Sequence, residues 1–138
     1  MRWVEAPGYH TDHVARYPTE YLAGIDLFNA REFHAAHDVW EERWRDDAEP
    51  QEKLFLQALI QTTVVFHYLE LGRVGAARSM FGRAEEKFER LDQPSFMSLD
   101  LTIFRAEVRE ALAWLFEGPA AEVRIPAPFA APKITLKL

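Results

Sequence analysis

The run from Gln51 to Leu71 constrains the fold more than any other stretch of the chain. Leu54, Phe55, Leu56, Leu59, Ile60, Val64, Val65, Phe66, Leu69 and Leu71 fall on almost every side of one helix. A helix without a wholly polar face must be covered, either at the centre of a bundle or in a subunit interface. Gly72 supplies the stop. Four further helices fit around this one. The first, Pro18 to Ala30, carries an apolar stripe of Leu22, Ile25 and Phe28, and the second covers Arg31 to Asp46. An acidic turn through Asp46, Asp47 and Pro50 separates it from the third. The fourth, Val74 to Leu91, repeats Val74, Ala77, Phe81, Ala84, Phe88 and Leu91. The fifth, Leu99 to Phe116, repeats Leu101, Phe104, Val108, Leu112 and Leu115 before Gly118 and Pro119 close it. These are helical spacings, and no segment before residue 120 reads better as a strand.

The expected fold is therefore an all-α, compact antiparallel bundle of about five helices joined by short connections. Residues 1–17 read as an N-terminal arm, 18–117 as a single helical-bundle domain, and 118–138 as an extended, proline-containing C-terminal tail. In that tail Ile134, Leu136 and Leu138 alternate with Lys133, Thr135 and Lys137. It is expected to lie over the bundle as an arm, to be disordered, or to reach a partner subunit. The length of 138 residues suits one domain with a real core.

Composition narrows the chemistry. With no cysteine, a disulfide framework, a thiolate zinc site and a cysteine nucleophile are excluded, and a metal would need nitrogen and oxygen ligands. The start of the chain lacks the pattern of a secretory signal, and no apolar run approaches the roughly 20 residues of a membrane span. No membrane partner and a cytoplasmic location are expected. The net charge of -6 argues against a nucleic-acid partner, which needs a concentrated positive field. Arg73, Arg78, Arg83, Lys87 and Arg90 share a helix with Glu85, Glu86 and Glu89 and read as a solvated face. There is no GxGxxG, P-loop or GxSxG, and Ser79, Ser95 and Ser98 have no evident catalytic partners.

The stretch EFHAAHDVWEERWR is the most informative for function. At about 100° per residue, Phe33, His37, Trp40 and Trp44 fall within an arc of about 60°, which aims His37 at the core. Glu41 lies beside His37, and His34, His37 and Glu41 share one edge of the helix. On the third helix, Gln57 and Gln61 stand one turn apart in otherwise apolar surroundings. Antiparallel packing would gather His37, Glu41, Gln57 and Gln61 into one polar cluster, with Trp44 and Arg45 at its border. Such a cluster is a hydrogen-bond network fixing helix register, the lining of a pocket for a small-molecule ligand, or a patch in a homodimer interface. As metal ligands, His34, His37 and Glu41 offer three donors for one divalent ion, although the two histidines diverge by about 60° around the helix. His10 and His13 read as solvated loop histidines, and His67 as a core or boundary residue away from the glutamine stripe.

FNAREFHAAHDVWEERWR followed by LQALIQTTVVFHYLELGRVGAAR resembles the family called domain of unknown function 309, over about residues 22 to 91. The pattern falls on Phe28, Asn29, Phe33, Ala36, His37, Glu41, Trp44, Arg45, Gln57, Gln61, His67 and Gly72, and Ala58 stands where the family usually has glycine. The resemblance implies a small multihelical protein of unknown biochemical function. It also implies a possible assignment, since some members carry the label predicted metal-dependent hydrolase. In that alternative His37 and Glu41 hold the cation and Arg45 meets an anionic substrate. A second alternative is a non-catalytic homodimer or binding module.

Overall fold

The computed structural model describes residues 7–46 and 48–138. The first six residues of the expected arm, and Asp47 of the acidic turn, lie outside that range. The described residues form six α-helices in order: α1 Thr11–Arg16, α2 Thr19–Asn29, α3 Phe33–Arg45, α4 Pro50–Glu70, α5 Val74–Leu91 and α6 Leu101–Ala111. The helical bundle is the one expected, with boundaries of the central helices close to those read from periodicity. Pro50 opens α4 at its first position, where its missing N–H is not needed. Gly72, with φ of 74°, turns the chain beyond α4, and Asp92, with φ of 49°, ends α5 in the left-handed conformation.

Three elements depart from expectation. The N-terminal segment contains α1, six residues long and so too short to show a helical period. The fifth expected helix starts two residues late, because Leu99–Asp100 pairs antiparallel with Ser95–Phe96 as the two short strands β2 and β1. Met97 and Ser98, both at positive φ, form the turn between them. Asp100 then caps α6 by accepting the Ile103 N–H at 3.0 Å. The same helix ends at Ala111 and gives way to a 3-10 turn, Ala113–Phe116.

Successive helices pack on one another, α2 on α3, α3 on α4 and α4 on α5. The run that required cover receives it: Phe55, Leu56, Ala58, Leu59, Thr62, Thr63, Val65, Phe66 and Leu69 are buried. Phe28 is an aromatic hub, with ring centres 5.5 Å from Phe33, 6.0 Å from Trp40, 5.9 Å from Phe66 and 6.2 Å from Phe104. Trp40 is wholly buried and donates its indole N–H to the Tyr21 carbonyl at 3.1 Å. It can lie there because α2 has no side chain at Gly24, where a Cβ would sit 1.9 Å from Trp40 Nε1.

The tail lies over its own bundle as an extended strap. Phe129, Ile134 and Leu136 are buried in the core. Asn29 grips it with both ends of its amide, accepting the Ile134 N–H at 2.7 Å and donating to the Ile134 carbonyl at 2.9 Å. Arg31 donates to the Phe129 carbonyl at 2.8 Å and lies 4.7 Å over the Phe129 ring. The Leu136 N–H bonds to the Gly8 carbonyl and the Lys137 N–H to the Ser98 carbonyl. Among the described residues, no helix is long and apolar enough to cross a membrane.

Candidate functional site

The site begins with how α3 is turned. Its buried residues are Phe33, Ala36 and Trp40. With Ala36 included, the centre of the inward face lies about 65° from His37, so His37 stands at the helix boundary with 28% of its side chain exposed. The expected core-facing imidazole is thus corrected to a half-buried one. Trp44 is also only partly buried, with Lys53 Nζ 5.7 Å over its ring.

On this edge the polar contacts are mostly within α3. His37 Nδ1 lies 3.0 Å from Asp38 Oδ1, and His37 Nε2 lies 2.9 Å from Glu41 Oε2. Glu41 is paired in turn with the guanidinium of Arg45. Both His37 contacts are donor-to-acceptor contacts only when both ring nitrogens carry protons. His34 Nδ1 faces the other oxygen of Asp38 at 3.4 Å. A chain of bonds inside one helix does not set the register between two helices. That register rests on Arg43 with Glu52, at 2.9 Å, and on the Thr63 hydroxyl, which donates to the Phe33 carbonyl at 3.0 Å.

The antiparallel packing of α3 and α4 adds a residue that the sequence reading set aside. The His67 ring centre lies 4.9 Å from that of His34, which lies 5.9 Å from that of His37. Three imidazoles from two helices therefore line the seam. Glu70 Oε1 is 3.5 Å from His67 Nδ1, within range for charge attraction, but the contact is not a hydrogen bond and the buried His67 Nδ1 has no hydrogen-bond partner. His67 went unrecognised because its neighbour comes from another helix, and nothing in its own spacing reports that.

Gln57 and Gln61 lie on the partly exposed side of α4. Among the described residues, no hydrogen bond joins either to His37 or Glu41, and the buried Oε1 of Gln61 has no partner. Ala58 is fully buried, and its carbonyl accepts the Thr62 hydroxyl at 2.8 Å. The expected loop pair also separates: His10 is exposed, whereas His13 is buried on α1. The reading of these two as solvated is corrected for His13, which bonds to the His10 backbone on one side and to Lys137, at the far end of the chain, on the other.

As they stand, no three histidine, aspartate or glutamate side chains among the described residues are grouped to hold a metal ion. Two clefts lie elsewhere on the molecule. One of about 390 Å³ is lined by Asp26, Asn29, Lys133 and Thr135, and one of about 560 Å³ by Trp114, Glu107, Glu110 and the prolines of the tail. Beside the first, Tyr9 donates to Asp26 at 2.6 Å. That hydrogen bond to a carboxylate pushes the Tyr9 hydroxyl up to about 12. Burial raises the Tyr21 hydroxyl well above its ordinary value; it donates to the Met97 carbonyl.

The segment from α2 into α5 also resembles a known family. Residues 21–80 match the family described as Domain of unknown function (DUF309). No curated protein matches the chain. The DUF309 segment contains the whole histidine seam, Asn29 and Gly24. It leaves α1, the hairpin, α6 and the strap outside. The description assigns no activity, so the biochemical function of the segment is unknown.

Proposed function

We propose that the chain binds one divalent transition-metal ion at the α3–α4 seam, through the imidazoles of His34, His37 and His67 with Glu41 beside them. The observation that supports this is the spacing of the rings. Three imidazoles on one tetrahedral ion, with metal–nitrogen distances of about 2.0 to 2.1 Å, put their centres roughly 5 Å apart. The seam holds two such neighbouring pairs, at 4.9 and 5.9 Å. A carboxylate lies near Nδ1 of each ring, at 3.4 Å for His34 and 3.0 Å for His37 and, without a hydrogen bond, at 3.5 Å for His67; a carboxylate that accepts from Nδ1 orients a ligating histidine through its other nitrogen. The residues fit such an ion in kind, and His34 stands between the other two rings, but as placed they are not gathered on one point. Their donor atoms must turn to converge, and His37 must release Glu41. His34, with 63% of its side chain exposed, is free to do so.

A bound ion of this kind supplies Lewis acidity, and the metal-dependent hydrolase reading follows only if a substrate reaches the seam. In that reading Arg45, exposed and one turn beyond Glu41, meets an anionic group. The alternative of a homodimer formed by α4 loses much of its support, because α2, α3, α5 and the strap cover the core from within one chain. A cytoplasmic setting and the absence of a nucleic-acid partner belong to this proposal, supported by the lack of cysteine and the acidic charge balance.

The test is elemental analysis and calorimetric titration with zinc and nickel, on untagged protein purified without chelator. The expected result is near one ion per chain, with binding lost in both His34→Ala and His67→Ala. Less than about a tenth of an equivalent, unchanged by added ions, would overturn the proposal, since a three-histidine site binds these ions readily at neutral pH.

A further inference from the structure

Away from the seam, His13 occupies an unusual position. It is the buried residue of α1, with 2% exposure. Its Nδ1 accepts the backbone N–H of His10 at 2.9 Å, and its Nε2 meets the carbonyl oxygen of Lys137 at 2.8 Å. One tautomer satisfies both contacts: a lone pair on Nδ1 and a proton on Nε2. With these roles the imidazole ties α1 to the end of the strap, 124 residues away in sequence.

We propose that His13 is an acid-sensitive latch for the end of the C-terminal strap. A proton added at Nδ1 would meet the His10 N–H head on, replacing a hydrogen bond by two opposed donors in a buried place. The surroundings offer that charge little relief. The groups facing His13 are the His10 imidazole, 5.8 Å away between ring centres, the Tyr17 phenol ring stacked at 5.9 Å, and the strap at Lys137. The Tyr17 hydroxyl is engaged with Ser98 at 2.6 Å, and the Arg16 guanidinium lies 5.7 Å over the Tyr17 ring. The Lys137 ammonium is drawn to Asp100 at 3.7 Å. The Asp100 carboxylate is thus already engaged by a cation, and the carboxylate of Asp12, next to His13 on α1, belongs to an exposed residue.

Release should be local. Ile134 is held independently by Asn29, so acid frees the segment beyond it, where Leu136 bonds to Gly8 and Lys137 to Ser98. Hydrogen exchange of the full-length protein reads this residue by residue. Between about pH 7 and about pH 5, the range over which histidines change charge, protection of the Leu136 and Lys137 amides should fall by more than about tenfold after correction for intrinsic exchange. Ile134 and the buried amides of α4 should keep theirs.

His13→Gln keeps a side-chain amide able to donate to Lys137 and does not titrate. It should abolish the acid step while retaining protection at pH 7. Persistence of the step in this variant would assign it to another group and overturn the proposal, as would unchanged protection in the unmodified protein. Should the variant fail to fold, nitrogen NMR of the His13 ring decides: a proton on Nε2 at pH 7 that is joined by one on Nδ1 as the Leu136 and Lys137 amides lose protection supports the latch. A ring protonated on Nδ1 at pH 7 overturns it.

Discussion

The two edges of α3 are made from neighbouring residues and hold the protein in different ways. Along one edge, Phe33, Ala36 and Trp40 are buried, and Trp40 rests on the backbone of α2 at Gly24 with its indole N–H bonded to Tyr21. Along the other, His34, His37, Asp38, Glu41 and Arg45 pair mainly with one another and remain partly in water. The first edge is fixed by shape, since no atom there can move without displacing another. The second is fixed by weak, solvent-screened charge pairs, each worth about 1 kcal/mol or less. Side chains held so loosely can exchange partners, which is what a binding seam requires and a packed core forbids.

The contrast can be broken most directly at Gly24. Gly24→Ala places a methyl group 1.9 Å from Trp40 Nε1, and the helices must separate or the indole must leave its site. A loss of about 3 kcal/mol or more is expected from overpacking of this severity, measured by urea denaturation followed by circular dichroism. A loss below about 1 kcal/mol would show that the apolar edge yields as readily as the polar one.

A smaller effect sharpens the same comparison at the α3–α4 contact. Thr63→Val keeps the shape and removes the hydroxyl that bonds to the Phe33 carbonyl. The expected cost is about 1 kcal/mol, read as a lower midpoint with an unchanged slope. A stability gain would mean that this buried hydroxyl contributes nothing to the register. The smallest effect is expected on the polar edge itself. Glu41→Gln removes the charge facing His37 and Arg45, and the melting free energy should change by less than about 0.5 kcal/mol. A loss of several kcal/mol would make the edge a structural network and remove the basis for treating it as a binding seam.

How much of this was legible in sequence depended on whether a residue's surroundings were local. Helix α5 begins and ends where its repeat of Val74, Ala77, Ala84, Phe88 and Leu91 begins and ends, because amphipathic periodicity is a property of the segment alone. The apolar run in α4 likewise announced a covered helix. The direction of His37 was misjudged because large aromatics were given the weight. Ala36, small and fully buried, belongs to the inward face with Phe33 and Trp40 and moves its centre away from His37. His67 beside His34, the Asn29 grip on Ile134 and the contact of His13 with Lys137 span 33, 105 and 124 residues, and no local pattern records them. Gly24, in contrast, did leave a trace: a glycine inside a helix is unfavourable by about 1 kcal/mol relative to alanine, and Trp40 supplies its reason.

The cover over α4 has a consequence for how the molecule opens. Local fraying can expose the ends of α1 or the strap, but amides at Leu59, Thr63 and Phe66 lie beneath several other elements at once. Water reaches them only when those layers have parted. Their exchange with deuterium should therefore proceed through global unfolding, making the slowest rates in this helix an internal gauge of the whole protein's stability.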